Sequence, residues 1–530
     1  MPDGVQTTPP TAARDVQSQE VHDTRDLAGF GYRQELRRVL GVYSSFAVAF
    51  SYISPSTGIF TLYALGLGIA GGFFFWSWPI VAIGQFLVAL NFAEVSSHFP
   101  LAGSVYQWSK YLSNRHYSWF TGWIYLFAGI LTVTAVDVTV PIVLVPFLNG
   151  LGMHIPAGTD PGALQAAVTI GALVLVSTTL LNIFGVRLVS LVNNTGVVFE
   201  ILGMVVLALV LLIFFHHQSP GILFNTSYLG SGFTNSAGTF LAAMFMSLFV
   251  IYGFDTASTL AEETRNPRRE APRAVLASIA GAFVIGTIFL LATILAIPGD
   301  ANKFISDTAN LKAFPPVDII TGNFGVGSFG SELYLFIVFA AVYVCCLAIQ
   351  TSTIRLAFGM ARDRKLPFGS IYNRVSPTLH TPIGTCIVIG ALSAIPLFYY
   401  AGAGIIAIAA TGMIYLSYFL GNLSILLARL RGWPTQAVPF KLGSWGPVVN
   451  VLALLWGGSM LINFLWPRPA SNPALNSLPN FPGFLAFGGN VPIFEATLGV
   501  ILVVGAVYYL VAQRNRPAEP LPAEAARASA

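Results

Sequence analysis

Apolar stretches, each about as long as a membrane-crossing helix, recur along the whole chain between short polar segments. They fall at 40–64, 71–97, 118–146, 164–186, 191–215, 239–262, 274–297, 331–361, 383–400, 402–428, 446–467 and 491–512. A helix needs about 20 mostly apolar residues to cross the hydrocarbon of a bilayer. The pattern therefore predicts an all-α membrane protein with twelve transmembrane helices, the ninth and tenth parted only by a short turn at Ala401-Gly402. Residues 1–39 and 513–530 are polar and read as disordered cytoplasmic tails. The first 40 residues lack the apolar core of a cleavable signal peptide.

Composition agrees. Of 530 residues, 55% are hydrophobic and 9% charged, against about 25% charged in soluble domains. Basic residues are distributed by side. With both termini in the cytoplasm, the outer loops hold only Lys303, Lys312 and Arg468 of 26 Lys and Arg. The inner loops hold Arg265, Arg268, Arg269 and Arg273 after the sixth stretch, and Arg362, Arg364, Lys365 and Arg374 after the eighth. This is the positive-inside pattern of a multi-pass protein, and the excess of Arg over Lys points to a bacterial plasma membrane. Basic residues scattered over short loops make no nucleic-acid patch. Cys345, Cys346 and Cys386 lie in apolar runs without disulfide or metal spacing. No phosphate-binding Gly-x-x-x-x-Gly-Lys-Ser/Thr loop occurs, and no His/Asp/Glu cluster marks an enzyme or a cofactor site. Any energy for work across the membrane must come from a gradient or from exchange.

Two stretches are interrupted. The first contains Ser51-Tyr52-Ile53-Ser54-Pro55-Ser56-Thr57-Gly58-Ile59, where proline removes a donor and disfavours helix before it. The sixth contains Tyr252-Gly253-Phe254-Asp255-Thr256. Both interruptions begin about 15 residues in, near mid-membrane by helical rise. The sixth stretch also opens a second set of five. Matched interruptions in two halves point to an inverted-repeat transporter with its site at the midplane. An unwound helix exposes N–H groups at one end and carbonyls at the other, so a zwitterion fits between the breaks. A proline kink and a flexible glycine of purely structural meaning are the alternative.

Carboxylates at membrane depth are costly and therefore candidates for function. Glu200 lies mid-way along the fifth stretch among apolar neighbours and is a candidate proton carrier; a hydrogen-bonded structural role is the alternative. Asp255 faces the guest's amine or caps the half-helix after it. Asp137, four residues before Pro141, lines an outer vestibule or bonds a loosened backbone. Glu94 reads as structural, with Arg355 a possible partner. Phe73, Phe74, Phe75, Trp76 and Trp78 read as an interfacial belt. His98, His116, His216 and His217 read as surface histidines.

Several local patterns, in order, resemble the amino acid–polyamine–organocation superfamily, and within it the amino acid/choline transporter branch that includes gamma-aminobutyrate and choline permeases. They are Ser54-Pro55-Ser56-Thr57-Gly58-Ile59-Phe60; Glu94 with Phe99-Pro100-Leu101-Ala102-Gly103-Ser104, Tyr106 and Trp108; Asn182-Ile183-Phe184-Gly185-Val186-Arg187; Tyr252-Gly253-Phe254-Asp255 with Ala261-Glu262-Glu263-Thr264 and Asn266-Pro267-Arg268; and Arg355 with Ala361-Arg362-Asp363-Arg364-Lys365-Leu366-Pro367. The resemblance covers about residues 30–515.

It implies a five-plus-five inverted-repeat core: a first repeat at 40–215, a second at 239–428, and two additional helices within 446–512. It implies secondary uptake of an amino-acid-like solute by alternating access. The substrate site would comprise Ser54, Ser56, Thr57 and Gly58 with Ile251, Tyr252, Gly253, Phe254 and Asp255. N–H groups at 56–58 would hold the carboxylate, carbonyls at 251–252 the amine, and Phe254 would be a lid. Many relatives have Gly-Ser-Gly where this chain has Ser56-Thr57-Gly58, and many in other branches have lysine where it has Glu200. The lysine stands in for sodium, so Glu200 becomes the proton-coupling candidate. The alternative on the same fold is an amino acid exchanger or a choline or polyamine carrier, with Tyr52, Trp123, Tyr252 and Phe254 as an aromatic cage. The partners implied are a small solute, a proton and the lipid bilayer, with no state of assembly assigned.

Overall fold

The computed structural model describes residues 11–158, 160–230, 232–398, 403–466 and 493–516. Among them the fold is helical throughout, and the only β pairing is an isolated parallel bridge between Leu40 and Thr264. The turn at Ala401-Gly402, Arg468, and residues 1–10 and 517–530 of the expected tails lie outside the described residues.

The helices follow the apolar pattern. After α1 (Thr11–Gly29) come α2 (Val42–Ile53) and α3 (Pro55–Ala70), the two halves of the first stretch. α4 (Ser77–His98), α5 (Ser104–Leu112), α6 (Arg115–Asp137), α7 (Val140–Gly150), α8 (Ala163–Phe184) and α9 (Val186–Phe214) complete the first half. The sixth stretch is α10 (Phe233–Ala243), α11 (Phe245–Val250) and the short α12 (Thr256–Thr259). There follow α13 (Pro267–Leu295), α14 (Ala301–Ala309), α15 (Val317–Phe324), α16 (Phe329–Arg362), α17 (Gly369–Tyr372), α18 (Ile383–Phe398), α19 (Ala403–Arg429), α20 (Gly446–Leu465) and α21 (Ile493–Tyr508).

By length and composition, nine segments among the described residues are long and apolar enough to cross a membrane. The first of these, Val42–His98, contains the first two expected stretches. Two shorter apolar helices, Asn235–Val250 and Ile383–Leu397, lie in the sixth and ninth. Local chemistry sets several starts. Asn114 caps α6 by accepting from the His116 and Tyr117 N–H groups, each at 3.0 Å. Pro55 and Pro267 stand at first turns, where a missing N–H costs nothing.

Three features differ from expectation. The stretch read as a disordered tail carries α1 and buries Leu27, Phe30 and Leu36. Its few apolar residues find a surface on the bundle, which composition does not reveal. Of the expected aromatic belt, Phe74, Phe75 and Trp78 point inward; Trp78 Nε1 donates to the Phe283 carbonyl at 3.1 Å. His98 is buried beside Phe99 and Trp433.

Candidate functional site

The first break is narrow. Helix α2 runs to Ile53 and α3 restarts at Pro55, so Ser54 alone leaves the helical path, at φ +33°. A non-glycine residue there costs about 1–3 kcal/mol and needs compensation. The compensation is a carboxylate from α9. Glu200 Oε1 accepts Ser54 Oγ at 2.7 Å, Ser56 Oγ at 2.7 Å and the Ser56 N–H at 3.3 Å. The remaining N–H groups of this turn are also taken: Thr57 donates to Ser54 Oγ at 3.4 Å and Gly58 to the Ser54 carbonyl at 3.1 Å. Glu200 is 1% exposed. It therefore sits on the positive end of α3, the place where a helix terminus favours an anion.

The second break is wider. Helix stops at Val250, and Ile251–Asp255 are non-helical before the single turn of α12. Gly253 has φ +89°, a left-handed conformation that glycine adopts freely. Its N–H donates to Tyr418 Oη on α19 at 2.9 Å. Tyr418 in turn donates to Asp255 Oδ1. Asp255 Oδ2 accepts Ser104 Oγ of α5 at 2.6 Å and Tyr125 Oη of α6 at 2.5 Å. Three hydroxyls from three helices thus hold one fully buried carboxylate, which makes no bond to the N–H groups of α12. Among the described residues no hydrogen bond reaches the carbonyls of Ile251 or Tyr252. Phe254 packs between Phe92 and Tyr418.

The two breaks touch. A Cβ on Gly253 would collide with the Tyr52 ring, and one on Gly58 with Val250. The Tyr52 and Tyr252 rings meet edge to face at 6.2 Å. All nine residues proposed from the sequence for the solute therefore lie in two adjoining segments, and Glu200 reaches the first of them. Trp123 faces elsewhere: it donates to the Ile501 carbonyl at 3.0 Å and stacks on Tyr508 of α21.

A family model described as amino acid permease matches residues 40–489, which hold both breaks and Glu200. The chain belongs to the amino acid permease family. It is similar to amino-acid permease BAT1 of Arabidopsis thaliana, 28% identical over 481 residues that cover 86% of this chain and 90% of that one. Its rice homolog (Oryza sativa subsp. japonica) is 27% identical over 477 residues with the same coverage. The branched-chain amino acid permease BcaP of Bacillus subtilis is 28% identical over 377 residues, covering 70% of this chain and 76% of that one. This permease is thus a multi-pass membrane transporter of amino acids and not an enzyme.

Beyond the second break, buried ion pairs join the helices of the permease. Arg355 on α16 pairs with Glu263, both about 1% exposed. Arg362 grips Glu262 with both terminal nitrogens, at 2.7 and 2.9 Å, and Glu262 also accepts the Ala102 N–H at 3.0 Å. Lys110 meets Asp363 at 2.7 Å, and Tyr32 and Tyr106 each donate to Asp363 at 2.9 Å. The segment after α1 threads through this cluster. Arg38 donates to the carbonyls of Ala261 and Thr264, Arg362 lies 3.9 Å over the Tyr32 ring, and the Val39 and Leu40 N–H groups donate to the Glu263 carbonyl. Burial alone would push the Asp363 carboxyl up, but Lys110 and Arg362 hold it below the usual carboxylate range.

The Glu94–Arg355 pair that the sequence left possible does not occur. Glu94 pairs with Arg429 of α19 and accepts the Leu442 N–H at 2.9 Å. Arg355 takes Glu263 instead. Asp137 ends α6 fully buried, with neither oxygen hydrogen-bonded among the described residues. Sequence reasoning assigned no role to Tyr125 and Tyr418 and placed Ser104 only in a family pattern, yet all three are partners of Asp255; none carries a local signal that would mark it as one.

Proposed function

We propose that this permease is a secondary carrier that moves an amino acid across the plasma membrane by alternating access, with a proton as the coupling ion. Twelve crossings, both termini in the cytoplasm and a five-plus-five inverted repeat form the frame. The solute binds between Ser54–Gly58 and Ile251–Asp255, its amine on the unpaired carbonyls of Ile251 and Tyr252. The observation that carries this reading is Glu200 seated on the N–H end of α3. A negative carboxylate there occupies the very position the solute's carboxylate needs. Protonation removes that charge and weakens its grip on Ser54 and Ser56, so proton and solute enter together.

A compact amino acid such as gamma-aminobutyrate suits the closely packed breaks. The second reading, a choline or polyamine carrier, is favoured by the Tyr52–Tyr252 ring pair, which offers aromatic faces to a cation. Uptake into proteoliposomes decides: gamma-aminobutyrate, branched-chain amino acids, choline and a polyamine are each offered with and without an inward acid gradient. Amino acid uptake driven by that gradient supports the proposal. Choline or polyamine uptake alone, or uptake indifferent to the gradient, defeats it.

A further inference from the structure

A cavity of about 340 Å³ lies at the arginine-rich end of the bundle, lined by Asn266, Arg269, Pro272 and Arg273 of the α13 start and by Pro439 and Phe440 of the loop before α20. Both walls are pinned to the end of α4. The Phe440 N–H donates to Ser97 Oγ at 3.3 Å and the Leu442 N–H to Glu94 at 2.9 Å. Ser97 Oγ donates in turn to the Arg268 carbonyl at 2.7 Å. The cavity is therefore framed by anchored backbone.

Its charge is not spent internally. Arg268 is used, on Asp26 at 2.6 Å and on the Ser97 and His98 carbonyls. The Arg269 side chain is exposed, and its guanidinium has no hydrogen-bond or ion-pair partner among the described residues. Arg273 is 58% exposed and meets only Glu270, at 3.3 Å. Lys441 is exposed beside Phe440. Glu270 opposes this charge with one carboxylate, leaving Arg269 and Lys441 in excess.

Five residues along the chain from Phe440 an apolar stripe begins. Trp445 is 69% exposed, and Val448, Leu452 and Leu455 follow it outward along α20 at helical spacing. In a membrane-spanning helix such a stripe faces lipid, and an exposed tryptophan at its end sits at headgroup level. Basic cavities in this position bind lipid headgroups.

We propose that this cavity binds the phosphate of an anionic phospholipid, with Arg269 and Arg273 on the phosphate and Phe440 and Trp445 against the acyl-chain side. The test is binding of phosphatidylglycerol to the full-length detergent-purified permease, counted by native mass spectrometry against phosphatidylcholine. Each arginine near a lipid surface contributes about fivefold, so R269Q/R273Q should weaken phosphatidylglycerol binding about thirtyfold. R269Q alone, at a partnerless residue, should weaken it about fivefold and keeps the test open if the double variant folds poorly. R265Q, a neighbouring exposed arginine outside the cavity, should leave binding unchanged. Equal binding of both lipids, or no loss in either cavity variant, overturns the proposal. So does glycerol phosphate binding as tightly as the lipid with the same arginine dependence, which would make the site one for a soluble phosphate.

Discussion

Replacing Glu200 with Gln keeps the size and the accepting oxygen at the first break and removes the charge. Three donors converge on Oε1: Ser54 Oγ, Ser56 Oγ and the Ser56 N–H. A hydrogen bond to a charged acceptor contributes about 1.5–3 kcal/mol and one to a neutral acceptor about 0.5–1.5, so each bond loses about 1 kcal/mol. The sum of about 3 kcal/mol changes the population of the Glu200-bound turn about a hundredfold. The assay is uptake of the amino acid that the panel identifies, in proteoliposomes, with the external pH stepped down. For E200Q, uptake should fall to the level seen without a gradient, while counterflow exchange of the same amino acid continues, since exchange needs no net proton movement. Full uptake with an unchanged response to the gradient would refute the coupling role of Glu200.

Other residues give sharper local tests. D255N keeps the volume but presents an amide N–H₂ to hydroxyls that now donate; a cost of about 1–3 kcal/mol should appear as slowed turnover, whereas unchanged turnover and affinity would leave the three-hydroxyl cluster without a role. Gly253→Ala forces a Cβ into Tyr52 at a φ that side-chain-bearing residues rarely adopt, so solute binding measured by isothermal titration should be lost; ordinary affinity would show that the second break takes no part. Deleting residues 1–31 removes the burial of Leu27 and Phe30, each about 1.5–3 kcal/mol, and should speed labelling of a cysteine placed at the buried Ala102, with an unchanged rate counting against a closing role for this segment. Asp363 is held below the usual carboxylate range, so its contribution is present above about pH 4 and is lost only as pH falls further. The difference in melting midpoint between the native chain and D363N should accordingly stay constant from pH 8 to pH 5, and a difference that fades between pH 7 and pH 5 would contradict that.

Helix positions were legible because the apolar stretches are long and the breaks carry their own signals. Pro55 and the serines around it mark the first break, and Gly253 the second. The extent of each break was not legible. At the first, the proline begins a new helix at once, and only Ser54 is left out; at the second, nothing in Tyr252–Thr256 says that the following helix will last a single turn. Partnerships across the bundle were hidden for the same reason. Glu200 meets Ser54 and Ser56 over 144 to 146 positions of sequence, and Asp255 meets Tyr418 over 163. Such pairs depend on how the helices pack, which periodicity does not encode. Glu94 illustrates this: Arg355 and Arg429 were equally available by composition, and only the approach of α19 to α4 selects Arg429.

The same geometry explains why a carboxylate at position 200 is compatible with carrying an amino acid at all. The proposed site, made of helix ends, would be electrically asymmetric, with the N–H side at Ser56–Gly58 and the carbonyl side at Ile251 and Tyr252. Left open, the N–H end would hold any small anion. Glu200 takes the Ser56 N–H and the hydroxyls of Ser54 and Ser56, so under the proposed mechanism a solute carboxylate would compete with a group already tethered to the protein. Moving such an equilibrium from about 1:99 to 99:1 needs a differential of about 5.5 kcal/mol. On the proposed mechanism, protonating Glu200 would supply about 3 kcal/mol of it by the bond count above, and the solute's own carboxylate and amine contacts would have to supply the rest, about 2.5 kcal/mol. Under the proposed mechanism neither contribution alone reaches that differential, which is the condition for coupled entry rather than a leak of either.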